Sequence, residues 1–393
     1  MRRLSLVFRL NLCLALLIAQ AATAQRYTIT DLGTLGGTQS LGLDISQGGQ
    51  VTGNSSIACL NCSISHAFLY RNGHMQDLGT FPGGSFSAGY GISGGARRER
   101  WERQEEVLVT GYSNFEACSF NNCSPAHAFL YENGNMSDLG TLPGGSNSQG
   151  FAVNRAGQVT GWADSGNNQH AFLYSNGIMQ DLGTLPGGIV SYGVDINDGE
   201  QNGEDKNERH RKGHENSAQV TGYSSTADGS QHAFLYSNGT MQDLGTLPGG
   251  SSSAGFAINQ AGQVTGYSAI RGGNVHAFLY SNGAMQDLGT LPGTDDSLGE
   301  GINQYGRVVG VAMTFPNSRA FLYSNGIMQD LNSLIPSNSG WVLEFANAIN
   351  DRGQITGSGT HAGETHAFLL TPVCAQNKEH DRDGDGCDKQ EHW

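Results

Sequence analysis

Three short phrases recur seven times each, in the same order, and they constrain this chain more than any other property. HAFLY begins at His66, His127, His170, His232 and His276; the sixth copy reads Arg319-Ala320-Phe321-Leu322-Tyr323 and the seventh HAFLL from His366. These starts lie 61, 43, 62, 44, 43 and 47 residues apart. DLG or a variant begins at Asp31, Asp77, Asp138, Asp181, Asp243, Asp287 and Asp330, and a VTG-like triplet at Val51, Val109, Val159, Val220, Val264, Val308 and Ile355. A unit this short cannot bury its own apolar faces and must stack on copies of itself.

The stretch from Asp243 to Gln286 is a clean unit. Ser253 to Asn259 reads as a first strand, Gln260-Ala261-Gly262 as a turn, and Gln263 to Ser268 as a second strand. His276 to Ser281 is a third strand whose two faces are both apolar or aromatic, as a sheet covered on both sides requires. Asn282-Gly283 is a two-residue hairpin turn, and Ala284 to Leu291 a fourth strand. Four short antiparallel strands per repeat describe a β-propeller blade. The 58 glycines, without a collagen triplet, suit such a turn-rich chain.

The two ends predict closure. Six HAFLY strands run into Asn-Gly, at Asn72, Asn133, Asn176, Asn238, Asn282 and Asn325; the seventh runs into Thr371-Pro372-Val373 and has no fourth strand. Tyr27 to Gly33 is a fourth strand with no third strand before it. Pairing the two fragments completes a seventh blade and hides two strand edges. The expected fold is therefore all-β: a seven-bladed β-propeller over residues 25–373, its last blade completed by the N-terminal strand. A linear solenoid is the alternative, but it leaves both half-blades unexplained.

The HAFLY/NG/DLGTLPGG/INxxGQVTG pattern, seven copies in constant order from Tyr27 to Leu370, resembles the bacterial extracellular HAF-repeat family. The resemblance implies an extracellular repeat protein and brings no reaction with it.

Residues 1–24 read as a secretory signal peptide. Arg2 and Arg3 precede an apolar run from Leu10 to Ile18, and Ala22-Thr23-Ala24 is a small-x-small cleavage site. Cleavage takes the net charge from −14 to −17 by removing Arg2, Arg3 and Arg9. An acidic chain repels phosphate backbones and anionic lipid, so neither nucleic acid nor a membrane is an expected partner. A secreted or periplasmic location is expected. Cys59, Cys62, Cys118, Cys123, Cys374 and Cys387 then form three close pairs suited to disulfides; a four-cysteine zinc site from the first two pairs is the alternative.

Two charged inserts, 94–106 and 199–217, fall between the first and second strands of the second and fourth repeats. Solvated excursions are the simpler reading and a partner-binding patch the sharper one. The tail, 374–393, carries Asp381-Arg382-Asp383-Gly384-Asp385-Gly386, which resembles the start of a calcium loop. Asp381, Asp383, Asp385 and Asp388 are the candidate calcium ligands, with a disordered acidic tail as the alternative.

His66, His127, His170, His232, His276 and His366, with Asp77, Asp138, Asp181, Asp243 and Asp287, invite a catalytic interpretation. Near-identical copies argue against it, because catalysis needs one asymmetric constellation. They are expected instead to form a buried structural network with the hydroxyls of Thr265-type positions. Gly91-Ile92-Ser93-Gly94-Gly95 fits a nucleophile elbow but occupies the slot that Ala257-Ile258-Asn259 fills elsewhere. Tyr112, Trp162, Tyr223 and Tyr267 recur at one second-strand position and are expected in the core rather than as a sugar-stacking set.

No catalytic residue is assigned. The expected function is a secreted, non-enzymatic binding or scaffold module for a glycan or a surface protein. The rival is a secreted esterase or polysaccharide-active hydrolase or lyase built on departures from the repeat: Asp295, Asp296, Glu300 and Glu344.

Overall fold

The computed structural model describes residues 26–58, 64–94, 107–116, 125–199 and 218–373. The expected signal peptide, Cys59, Cys62, Cys118, Cys123, Cys374 and Cys387, most of both inserts and the whole Asp-rich tail lie outside the described residues.

Among the described residues the fold is all-β apart from one 3-10 turn, Leu331–Ser333. Five sheets have four antiparallel strands each, and a sixth has eight. A single parallel bridge, Gln39 to Thr365, divides the eight-stranded sheet into two four-stranded groups. Each four-stranded group is one repeat unit, and units are numbered here in chain order from Gly36. The fifth unit is typical: Ser253–Ile258, Val264–Ala269, Val275–Ser281 and Ala284–Asp287. Its fourth strand stops at Asp287 rather than running to Leu291. The Asp287 carboxylate accepts the Gly289 N–H at 2.7 Å, which turns the chain out of the sheet.

The Asn-Gly turns form as the sequence predicts. All six asparagines take φ between 51° and 53°, each followed by a glycine at positive φ. The N-terminal strand Tyr27–Asp31 pairs antiparallel with Glu364–Pro372, from Tyr27 opposite Pro372 to Asp31 opposite Phe368. The two half-units therefore do complete one another.

The VTG triplet has a separate reason for each residue. Val264 is fully buried, the Thr265 hydroxyl donates to the Phe278 carbonyl at 2.7 Å, and a Cβ on Gly266 would lie 1.9 Å from the Ala254 oxygen. Only glycine lets the first and second strands approach this closely.

Units pack face to face. The first strand of each lies across the first three strands of the unit before it, and that of unit one lies across unit seven. The packing order thus returns on itself. Apolar clusters form between units, not within them: Ala233 and Leu244 of unit four join Ile258, Val264, Phe278 and Tyr280 of unit five. All seven phenylalanines of the HAFLY copies are completely buried at these seams. Fourth strands pair with their own third strand and reach the next unit through single side chains, as where Gln76 donates to the Tyr131 hydroxyl at 3.0 Å, whereas first strands pack on one another. First strands therefore form the inner wall and fourth strands the outer edge.

Candidate functional site

The histidine–aspartate pairs form where the third and fourth strands meet. In six units the imidazole Nδ1 lies 2.8–3.1 Å from both oxygens of its aspartate: His66–Asp77, His127–Asp138, His170–Asp181, His232–Asp243, His276–Asp287 and His366–Asp31. In unit six Arg319 replaces the histidine and donates to Asp330 at 3.2 Å and to the Pro292 carbonyl at 2.7 Å. The pairs are not the buried network expected. The imidazoles are 16–22% exposed and the aspartates 32–44%. The threonines take no part, because their hydroxyls face the adjacent strand's carbonyls. The aspartates are instead held by the turn glycines. Burial alone would raise the Asp77 and Asp138 carboxyls, but the histidine and the glycine N–H outweigh it and hold both below the ordinary value.

The ties that join unit to unit come from residues not singled out in the sequence. In units three to seven the asparagine closing the first strand donates through Nδ2 to the carbonyl of its counterpart in the next unit, at 3.0–3.2 Å. These links run Asn154 to Asn197, Asn259, Asn303 and Asn350, and from Asn350 to Ser46. One residue on, a second belt runs in parallel. The Gln260 N–H donates to Gln304, Gln304 N–H to Asp351, and Asp351 N–H to Gln47. Ser40, Ser87, Ser148, Ser191, Ser253 and Ser297 each accept the N–H of the alanine in the preceding HAF strand at 2.8–2.9 Å. The repeated polar residues are thus committed to assembly.

What remains after the repeat is subtracted lies on the inner wall. The first strands of units one to six bulge at the residue after a glycine, that of unit seven after Ala346, and at the bulge unit six carries Glu300 where others carry Tyr90, Phe151 or Phe256. The next position is alanine or glycine in five units but Asp44 in unit one and Asp195 in unit four. Asp44 accepts N–H groups from its own Ile45 and from Ile92 of unit two at 2.7 and 2.8 Å. Asp195 does the same with Ile196 and with Ile258 of unit five, both at 2.8 Å. Burial pushes the Asp44 carboxyl up to about 7, against the Ile92 N–H and with the Asp195 charge adding to the rise. Burial likewise takes Asp195 to about 6 and Glu300 to about 7. Units one and four have two units between them along the packing order, yet the Asp195 charge still bears on Asp44. All three residues are still partly reached by solvent.

The other acids named from sequence do not join them. Asp296 accepts the Val275 N–H at 2.8 Å, Asp295 accepts the Thr314 hydroxyl at 3.0 Å, and Glu344 accepts that of Thr360 at 3.3 Å. Ser93 lies in a strand opposite Leu108, not on an elbow. The recurring aromatics are half-buried rather than core. Tyr112 stacks on Tyr90, Tyr223 stacks on Tyr192 with centroids 4.8 Å apart, and Trp162 meets Tyr192 of the next unit edge-on. Burial and the neighbouring phenols push Tyr223 up to about 12. This aromatic seam spans units two to five; units one, six and seven carry Asn54, Val311 and Ser358 there.

No family profile and no curated protein matches the chain. Among solved structures it is similar to TolB from Acinetobacter baumannii, at 11% identity over 82% of this chain and 63% of TolB, TM-score 0.43. The chain therefore spans under two thirds of TolB's length. It is also similar to the β-propeller domain of the Trilobed protease from Pyrococcus furiosus, at 7% identity over 89% of this chain and 94% of that one, TM-score 0.46. Trypanosoma rangeli sialidase is similar at 9% identity over 88% and 60%, TM-score 0.39.

Proposed function

We propose that this chain is an exported, closed seven-bladed β-propeller of the HAF-repeat class, and that it binds a glycan or a protein at the cell surface through the inside of its ring. The observation that carries this reading is the division of labour among polar residues. Those that recur are spent on turns and blade-to-blade ties, while Asp44, Asp195 and Glu300 break the repeat and face the interior. A ligand presenting cationic or hydroxyl groups would pair with the Glu300 carboxyl. Binding sites are commonly built in this way, as asymmetric groups on a rigid scaffold.

The test is a glycan-array and surface-protein screen with the chain beginning at Gln25, paired with a broad hydrolase-substrate screen. Binding without turnover is expected, weakened by Glu300→Gln and by Asp44→Ala and retained in His232→Ala. Loss of binding in His232→Ala but not in Glu300→Gln would move the site to the outer edge.

A hydrolase or lyase reading has one observation in its favour: Glu300 and Asp44 titrate near neutrality, the range a general acid requires. Turnover abolished by Glu300→Gln and kept in Asp296→Asn would establish it.

A further inference from the structure

We infer that the seam where the two chain ends meet is a binding site for a zinc-class divalent ion, with Asp31, His361 and His366 as ligands and Glu364 behind them. Five other units hold one histidine against one aspartate. Unit seven adds a second histidine, His361, at the end of the strand Ile355–His361. Its Nδ1 lies 3.3 Å from Asp31 Oδ2, and the Nδ1 of His366 lies 2.9 Å from the same oxygen. One ligand atom from each of the three residues falls within 4.8 Å of the others. Tetrahedral zinc with bonds of about 2.0–2.1 Å separates its ligand atoms by about 3.3 Å, so the three groups already stand at chelating distance. Two imidazoles and one carboxylate are the donor set of zinc and its neighbours rather than of calcium or magnesium.

Two further features fit an ion and have no role in an ordinary histidine–aspartate pair. The Trp341 indole stacks on the His361 ring, 4.7 Å between centroids and 4° between planes, and so fixes the direction of its nitrogens. The Nε2 of His366 is buried with no hydrogen-bond partner, yet Glu364 Oε2 stands 3.5 Å away. Metal on Nδ1 displaces the proton there and leaves Nε2 as the N–H. A small closure toward Glu364 then gives the carboxylate–histidine–metal arrangement that orients metal-bound imidazoles. Solvent fills the remaining position on the ion.

The ligands come from the first and the last two strands of the described chain, so an ion here would clasp the ring. The experiment uses the chain from Gln25 after chelator dialysis. Zinc is titrated against a chromophoric competitor, and cobalt is added separately for its visible spectrum. The wild type should show a site with a tetrahedral cobalt band and a zinc-dependent rise in unfolding temperature, since an ion bound only by the folded ring stabilises it. His361→Ala should remove that site, the cobalt band and the thermal shift, while keeping the fold, because it restores the single-histidine pair of the other units. Glu364→Gln should weaken zinc by about tenfold. His276→Ala, which alters an ordinary pair, should leave stoichiometry and affinity unchanged. Equal zinc stoichiometry and affinity in wild type and His361→Ala would overturn the assignment, as would a wild type that takes no zinc at micromolar concentration.

Discussion

Replacing Glu300 by glutamine should make the protein more stable, and increasingly so as the pH rises. Burial on the inner wall lifts the Glu300 carboxyl from the ordinary 4.5 to about 7. The folded chain therefore holds this proton more tightly than the unfolded chain does. For a carboxyl whose folded value is raised, the favourable contribution is complete below the unfolded value and is lost as the pH climbs through the folded one. The gap between the two values corresponds to about 3 kcal/mol. Glutamine has nearly the same shape and no charge to desolvate. The stability advantage of Glu300→Gln over wild type should therefore grow by about 2–3 kcal/mol between about pH 5 and pH 8. Urea unfolding at the two pH values, followed by tryptophan fluorescence, measures it as a shift in midpoint at constant slope. Glu344→Gln is the control, since Glu344 accepts a hydrogen bond from Thr360. An advantage of the same size at both pH values would refute the reasoning, because it would mean that the Glu300 proton is not shared unequally between folded and unfolded states.

Other perturbations separate the kinds of tie. Asn259 makes four hydrogen bonds, to Ala261, Gln263 and the Asn303 carbonyl, so Asn259→Ala should cost about 3 kcal/mol in denaturant unfolding. His232→Ala, at a half-exposed pair, should cost only about 1 kcal/mol. His232→Ala and Thr221→Val, in the same unit, should be additive within about 0.5 kcal/mol in a double-mutant cycle, whereas a shared network would couple them. A chain starting at Thr34 should expose the edge of Glu364–Pro372 and self-associate in sedimentation, and a peptide spanning Arg26 to Gly33 added in trans should restore the monomer.

The sequence was legible wherever function is local. Strand order, the Asn-Gly turns and the pairing of Tyr27–Asp31 with the last HAF strand all follow from the repeat and its unfinished ends. The asparagine belt was not legible for a physical reason. Each Asn touches its own counterpart one repeat away, and a repeat reveals that positions are equivalent without revealing that they are in contact. The interior acids were hidden differently. Asp44 and Asp195 come from units with two others between them, and only the assembled packing order brings the charge of one to bear on the other. Glu300 was noticed as a departure from the repeat, but Asp295 and Asp296 stood out equally in the sequence, and they are spent on a backbone N–H and a threonine hydroxyl. His361 lies beside a turn, Ala362-Gly363, in the one stretch where the repeats differ most, so nothing marked it before Asp31 came into view.

The Val373 N–H donates to the Arg26 carbonyl at 2.8 Å, beside the pair Tyr27 and Pro372. Whatever precedes Arg26 and whatever follows Val373 must depart from one point on the outer edge. The described ring is therefore nearly indifferent to where its gene is cut. A circular permutant with Val373 joined to Arg26 by a few residues and opened instead at the Asn238-Gly239 turn has the same neighbours everywhere except at the new break.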